Sequence, residues 1–244
     1  MQRKIPCVIL SFNRLTYLKS LLKQLERFTE IEPIILDNDS TYQPLKSFLK
    51  TSKYRVEKLP KNLGHMAAWS SGLTKEFTEG HYIVTDNDLD ISGVPSDVCA
   101  KMIGGLQKYS KRFKVALSLD ISDLPEDGFP MLQNVIEHES KTTPLMADKD
   151  FYAFGADTTF AMYRARKEWL TSEFYYDFSN GIRMLKPYTA KHLPWYWTLK
   201  TLTEEDIYYI MSCSSNTSQG WTCAIREMLR GNTSKSLSRY ETHE

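Results

Sequence analysis

Over residues 5–90 the apolar positions alternate between two rhythms. Ile5-Pro6-Cys7-Val8-Ile9-Leu10-Ser11 is a short continuous run whose length and β-branched content predict a strand buried on both faces. Leu15, Leu18, Leu21, Leu22, Leu25 and Phe28 then recur at helical spacing, with Asn13 as the expected N-cap. Residues 33–36 predict a second buried strand that stops at Asp37-Asn38-Asp39-Ser40, residues 43–51 a short helix, and residues 54–59 a third strand ended by Pro60. Residues 63–77, rich in Ala, Trp and Ser, predict a helix, and residues 81–85 a fourth strand that stops at Asp86-Asn87-Asp88. Strands and helices in alternation imply a parallel sheet with right-handed crossovers. Ligands of such sheets bind outside the carboxyl ends of the strands, where both acidic clusters fall.

The rhythm loosens further on. A helix is expected over residues 96–109, weakened by Gly104-Gly105, and a strand over 114–118. Residues 119–150, with Pro, Gly and scattered charge, predict a long loop. One or two strands follow over 151–163, a short helix over 166–171 and a strand over 181–185. Thr203, with Asp206 three residues on, predicts a helix start close to a capping box. An amphipathic stretch over 221–229 lies in a tail rich in Ser, Thr and Asn. With no repeat and no dividing linker, the pattern predicts one α/β domain over 1–215, its halves 1–90 and 91–215, and a C-terminal helix and tail over 216–244.

Composition narrows the class. A chain of 244 residues supports one or two domains and a core that needs no staples. With 31 Lys+Arg against 30 Asp+Glu, the net charge of +1 argues against a nucleic-acid binder, which would be basic, though not against a local charged patch. The 14 Tyr, 11 Phe and 5 Trp either enlarge the core or line a binding surface. Cys7, Cys99, Cys213 and Cys223 have no CxxC spacing, which points away from a zinc or redox motif and toward a reducing, cytoplasmic compartment. No run approaches the ~20 apolar residues of a membrane span. The basic start, Met1-Gln2-Arg3-Lys4, lacks the cleavage pattern of a signal peptide. Peripheral membrane contact through the C-terminal stretch stays open.

Candidate chemistry gathers at the strand ends. In Tyr82-Ile83-Val84-Thr85-Asp86-Asn87-Asp88 an apolar strand delivers two carboxylates that project to one side. Such a pair can hold Mg²⁺ or Mn²⁺ across the two phosphates of a substrate, and it equally suits a solvated turn. Asp37 can accept from a base N–H or a ribose hydroxyl, or cap its own turn. Ser11-Phe12-Asn13-Arg14 closes the first strand with small side chains that can contact a nucleotide, Arg14 being equally suited to a solvated helix surface. Lys61-Asn62-Leu63-Gly64-His65 leads into a small-residue helix whose start favours phosphate or a polar base edge.

These four pieces, in this order, resemble the nucleotide-sugar-binding half of the GT-A fold, and within it glycosyltransferase family 2. The resemblance covers residues 5–90 through Ser11-Phe12-Asn13-Arg14, Asp37-Asn38-Asp39-Ser40, Asn62-Leu63-Gly64 with Ala67 and Ala68, and Asp86-Asn87-Asp88. It implies a Rossmann-like, mostly parallel sheet with flanking helices. It implies a nucleotide-sugar site of Ser11, Asn13, Arg14, Asp37, Asn62, Gly64, Asp86 and Asn87. Asp88, with Asp86, would hold the metal, and His192, a late His of the kind many GT-A enzymes use, would join them or touch the diphosphate. Neutral imidazole suits Mn²⁺ better than Mg²⁺.

The acceptor half, 91–215, departs from the family. The Glu-Asp pair expected at a helix start is matched only by Glu204-Glu205-Asp206, in a predicted cap. An inverting transferase needs a carboxylate opposite the leaving diphosphate. Asp157, entering an apolar strand after Gly155, is the preferred base, with Asp177 second and Glu205 and Asp206 open. Trp195 and Trp197 would stack on an acceptor sugar or close over the donor, or else belong to the core. The reading is a metal-dependent, hexosyltransferase-type glycosyltransferase, with UDP-sugar as the donor on family grounds. Its acceptor would be a glycan, free, lipid-linked or protein-bound; the resemblance implies inversion, and the missing acidic pair leaves retention open. Two other classes stay open. A nucleotidyltransferase shares the sheet, but the Ser11–Leu15 turn lacks its glycines. A non-catalytic glycan-binding module of the same fold would suit the aromatic residues.

Overall fold

The computed structural model describes residues 4–129, 131–140, 149–156, 158–213 and 221–232. The predicted alternation forms as β1 (Ile5–Ser11), α1 (Leu15–Leu25), β2 (Ile31–Asp37), α2 (Gln43–Lys50), β3 (Arg55–Lys58), α3 (Ala67–Ser70) and β4 (His81–Asp86). The chain continues through β5 (Leu89–Asp90), α4 (Val98–Lys108), β6 (Lys114–Ala116), β7 (Ser118–Leu119), α5 (Leu132–Glu139), β8 (Phe151–Tyr152) and β9 (Ala161–Arg164). It ends in α6 (Ser172–Tyr176), β10 (Gly181–Met184), β11 (Thr189–His192), α7 (Glu204–Ser212) and α8 (Trp221–Asn232).

Among the described residues the main sheet has eight strands in the order β3-β2-β1-β4-β9-β6-β10-β8. The pairs β2–β3, β1–β2, β1–β4 and β6–β10 are parallel, and β9 is inserted antiparallel between β4 and β6. This is the mostly parallel α/β sheet that the strand–helix alternation predicts. A second sheet, β5-β11-β7, sits beside it.

The continuous apolar runs are explained by burial on both faces. Cys7 and Ile9 of β1, Ile31 and Ile35 of β2 and Ile83 of β4 join one cluster with Leu18, Leu21, Leu22 and Leu25 of α1 and Met102 and Leu106 of α4. The alternate residues Val8, Leu10, Ile34, Leu36, Tyr82 and Val84 join a second cluster with Ala67, Ala68 and Trp69 of α3 and Tyr175 of α6. Period-two alternation thus assigns each strand residue to a layer, each large side chain contributing about 1.5–3 kcal/mol of burial. A third cluster joins Trp197, Ile210 of α7, and Ile225 and Leu229 of α8 to Phe129.

Three segments depart from the sequence pattern. Residues 63–77 do not form one helix: α3 is flanked by 3-10 turns at Gly64–Met66 and Leu73–Glu76, because Gly64 (φ 70°) and Gly72 (φ 83°) are left-handed. The loop expected over 119–150 contains α5. The short helix expected over 166–171 starts instead at Ser172, where the Thr171 side chain accepts from the Phe174 amide at 3.2 Å. Among the described residues no helix is long and apolar enough to cross a membrane.

Candidate functional site

The register of the central strands sets the site. Ser11 pairs with Asp37 and Leu10 with Asp86, so the carboxyl ends of β2, β1 and β4 form one ledge. A cleft of about 120 Å³ opens there, lined by Ser11, Phe12, Arg14, Asn38, Asn62, Gly64, His65 and Asp86. Tyr209 of α7 and Cys213, the residue after that helix, complete its lining.

The loops around the ledge are held by side-chain amides. Asn13 is left-handed (φ 51°) and does not cap α1. Its Oδ1 accepts from the Thr41 and Tyr42 amides at 2.7 and 2.9 Å, and its Nδ2 donates to Ser212 Oγ at 2.8 Å. Asn38 Oδ1 accepts from the Leu63 amide at 2.8 Å, and Asn38 Nδ2 donates to Asn62 Oδ1 at 2.9 Å and to the Gly64 carbonyl at 3.1 Å. Asp37, 5% exposed, accepts from the Ser40 amide at 3.1 Å. Asp86 accepts from Thr158 Oγ1 at 2.8 Å, which ties the residue after Asp157 to the cleft wall. Asp157 itself lies outside the described residues.

Arg14 is the cation of the cleft. Its Nη1 donates to Asp88 Oδ2 at 2.6 Å, and its guanidinium lies 3.9 Å from the centre of the Tyr209 ring and 5.6 Å from that of Tyr17. Asn87 Nδ2 donates to the Arg14 carbonyl at 3.2 Å. Burial pushes the Asp88 carboxyl up, but the Arg14 guanidinium, with His192, outweighs it and holds the group below the usual carboxylate range. Burial pulls Arg14 down, and Asp88 with the two tyrosines more than restores it. Ser11 Oγ, Arg14 Nε, Asn87 Oδ1 and Asp88 Oδ1 are buried without a hydrogen-bond partner among the described residues.

His192 reaches the same carboxylate by backbone pairing. β11 lies antiparallel to β5 with His192 opposite Leu89, and the Leu193 amide donates to the Asp88 carbonyl at 2.9 Å. His192 Nε2 is then 3.5 Å from Asp88 Oδ2, and its ring packs edge-on to Trp195 with centroids 4.8 Å apart. The unpartnered Asp88 Oδ1 and the nearby imidazole are donors a divalent ion could use. Asp88 Oδ2, however, already carries a guanidinium, and among the described residues no three His, Cys, Asp or Glu side chains converge. As placed, these residues fit an arginine–aspartate pair and do not fit a divalent-ion site.

The acceptor-side residues are dispersed. Asp177 caps a 3-10 turn: its Oδ1 accepts from the Ser179 amide and hydroxyl, both at 2.8 Å, and its Oδ2 from Asn180 Nδ2 at 2.9 Å. Glu205 accepts from the Thr16 amide at 2.9 Å, capping α1 from a distant helix, and burial pushes its carboxyl up. Asp206 closes the Thr203 capping box and accepts from Tyr17 OH at 2.7 Å. Trp197 is 4% exposed, donates to Tyr17 OH at 2.8 Å and packs in the third cluster, a core position. Trp195 borders a separate, mainly apolar cavity of about 430 Å³ with Met131, Val135 and His138.

Sequence reasoning missed Phe12, Asn38, His65, Tyr209 and Cys213 on the cleft wall. Asn38 and Phe12 lie inside motifs already singled out. Tyr209 and Cys213 carry no local signal, because only the tertiary docking of α7 brings them to β1.

The family model for glycosyl transferase family 2 matches residues 7–169. No curated protein matches the chain. Among solved structures it is similar to the mannosyltransferase PcManGT from Pyrobaculum calidifontis, described in complex with GDP-Man and Mn²⁺. That match has 14% identity over 67% of this chain and 45% of that one, with a TM-score of 0.43. A match to GalNAc-T7 with UDP, GalNAc and Mn²⁺ has 13% identity over 98% of this chain and 56% of that one, TM-score 0.48. The 4-diphosphocytidyl-2C-methyl-D-erythritol synthase from Anaerococcus prevotii matches at 11% identity over 76% of this chain and 89% of that one, TM-score 0.38. The chain spans about half the length of the two glycosyltransferases.

Proposed function

Since the chain belongs to glycosyl transferase family 2, we infer that it binds a nucleoside-diphosphate sugar at the carboxyl ends of β1, β2 and β4 and transfers the sugar to a hydroxyl acceptor. The observation that carries this reading is the cleft itself, lined by Ser11 and Arg14, each of which carries a buried polar atom, Oγ and Nε, with no partner among the described residues. Unsatisfied buried groups of this kind cost about 1–3 kcal/mol each unless a ligand meets them. At about 120 Å³ the cleft is smaller than the roughly 300–1,000 Å³ of sites that enclose drug-sized ligands. It would take the diphosphate and part of the nucleoside, with the sugar reaching outward past Asp86.

The reaction is a displacement at the anomeric carbon. The acceptor oxygen forms the new bond to that carbon and gives its proton to a carboxylate, while the carbon–oxygen bond to the β-phosphate breaks and its electron pair leaves with the diphosphate. One such displacement inverts the centre. Asp157 is our choice for the base, since its neighbour Thr158 hydrogen-bonds Asp86 on the cleft wall. Asp177 is second, because its two oxygens are engaged in capping. UDP is the proposed nucleotide, and the acceptor a glycan.

A calorimetric screen of UDP, GDP and CTP, followed by a donor-hydrolysis screen over nucleotide sugars, tests this reading. Micromolar to millimolar binding of a diphosphate and slow release of free sugar from one donor are expected. Preference for the triphosphate would turn the reading to a nucleotidyltransferase. Binding of glycans without nucleotides would turn it to a sugar-binding module.

A further inference from the structure

We propose that Arg14, held by Asp88, is the cation that meets the departing phosphate, so that nucleotide binding and sugar transfer proceed without a divalent ion. The proposal rests on the nucleotide-sugar reading above and gives it a catalytic group.

The geometry puts Arg14 in the cleft wall and its carboxylate partner Asp88 outside the lining. Arg14 lines the cavity and is 7% exposed, whereas Asp88, 3% exposed, does not line it. The Arg14 backbone is fixed on both sides, by the left-handed Asn13 with its bonds to residues 41 and 42 and by the Asn87 amide on the Arg14 carbonyl. The side chain is fixed by Asp88 at 2.6 Å and by the Tyr209 ring at 3.9 Å. One N–H is thereby used on Asp88, and Nε has no partner among the described residues. A guanidinium offers several donors in a fixed fork that matches phosphate oxygens, and its charge does not titrate in the physiological range.

A divalent ion on Asp88 would have to displace Arg14 from between a carboxylate and an aromatic ring, or share that carboxylate with it. The arrangement favours the arginine as the resident charge. During transfer the electron pair of the breaking carbon–oxygen bond passes to the β-phosphate oxygen, and Arg14 donates hydrogen bonds to that oxygen as its charge grows. No proton leaves Arg14. Asp88 acts through Arg14 and is a positioning residue, as is Tyr209.

Calorimetry of UDP binding in EDTA and in millimolar Mn²⁺, with electron paramagnetic resonance of the Mn²⁺, tests the proposal on the wild-type chain. Equal UDP affinity in both and no protein-bound Mn²⁺ signal are expected. UDP binding only with Mn²⁺, together with a bound signal, would overturn the proposal and leave the glycosyltransferase reading intact. No diphosphate binding under either condition would overturn both. In EDTA, Arg14→Gln should lose about tenfold or more in UDP affinity, the worth of a charge-assisted hydrogen bond. Arg14→Lys should retain part of it, and methylguanidine should restore binding to Arg14→Ala. Asp88→Asn should weaken binding in EDTA without creating a need for Mn²⁺. Arg14→Gln that folds and binds UDP as the wild type does would overturn the proposal. A variant that does not fold leaves the wild-type arms to decide.

Discussion

Asp88 shows how one carboxylate is governed by a residue far away in sequence. Its partner Arg14 stands 74 positions earlier. Because Arg14 holds the folded Asp88 below the ordinary carboxylate value of about 3.9, the pair contributes stability above that pH and loses it as pH falls through the depressed folded value. Asp88→Asn removes the titration and leaves a buried guanidinium without its counter-charge. Breaking such a pair costs about 3–5 kcal/mol. Urea midpoints of wild type and Asp88→Asn should therefore differ most near neutral pH and converge in strong acid. A gap that is constant with pH would show that the pair contributes nothing through charge. At this scale the sequence made the residue types at the strand ends legible. Ser11, Asp37 and Asp86 are the last residues of β1, β2 and β4, with Asp88 two residues on, so the end of each apolar run marks them even though Ser11, Asp37 and Asp88 are buried. The pairing of Arg14 with Asp88 was not legible, since Asp-x-Asp spacing carries no information about which cation folds over it.

Helix α4 gives the same lesson one level up. Gly104 and Gly105 look like two equal weak points, yet the structure separates them. A Cβ on Gly104 would meet nothing within 4 Å, whereas one on Gly105 would come within 2.7 Å of the Phe151 ring and 3.2 Å of Val115. Gly104→Ala should raise stability by about 0.5–1 kcal/mol through helix propensity. Gly105→Ala should lower it by about 1 kcal/mol or more, because overpacking exceeds the propensity gain. Thermal melts of the two variants shifting in the same direction would contradict this. Continuous apolar runs made β1, β2 and β4 legible, and leucine spacing made α1 legible. The segment around α3 was misread because an apolar pattern does not register left-handed backbone at Gly64 and Gly72. Helix α5 was hidden because, of its eight residues, only Leu132 is buried. A helix that turns so little of itself to the core leaves no periodic trace.

For the whole molecule, the ledge at the strand ends and helix α7 are mechanically joined. Glu205 caps α1, Asp206 binds Tyr17, Ser212 accepts from Asn13, and Tyr208 OH donates to Thr41 Oγ1 at 3.0 Å. Occupying the cleft should therefore slow amide exchange in residues 205–213 as well as in residues 10–14. Protection confined to the first strand and its turn would show that α7 does not close on the ligand. The parallel pairing of β1, β2, β3 and β4 was legible because strands and helices alternate there, whereas the antiparallel insertion of β9 between β4 and β6 was not. The docking of α7 was not, since the capping box at Thr203 announces a helix start but not the surface it will meet.

That joining also sets a schedule for biosynthesis. The walls of the cleft run from Leu10 to Cys213, so a nascent chain on the ribosome has no complete cleft until α7 has emerged. A ligand that binds only the finished fold stabilises finished molecules alone. With a nucleotide as the ligand, as proposed, the cell's nucleotide pool would act as a selector of folded chains, drawing each one out of the folding equilibrium only after the last wall of the cleft is in place.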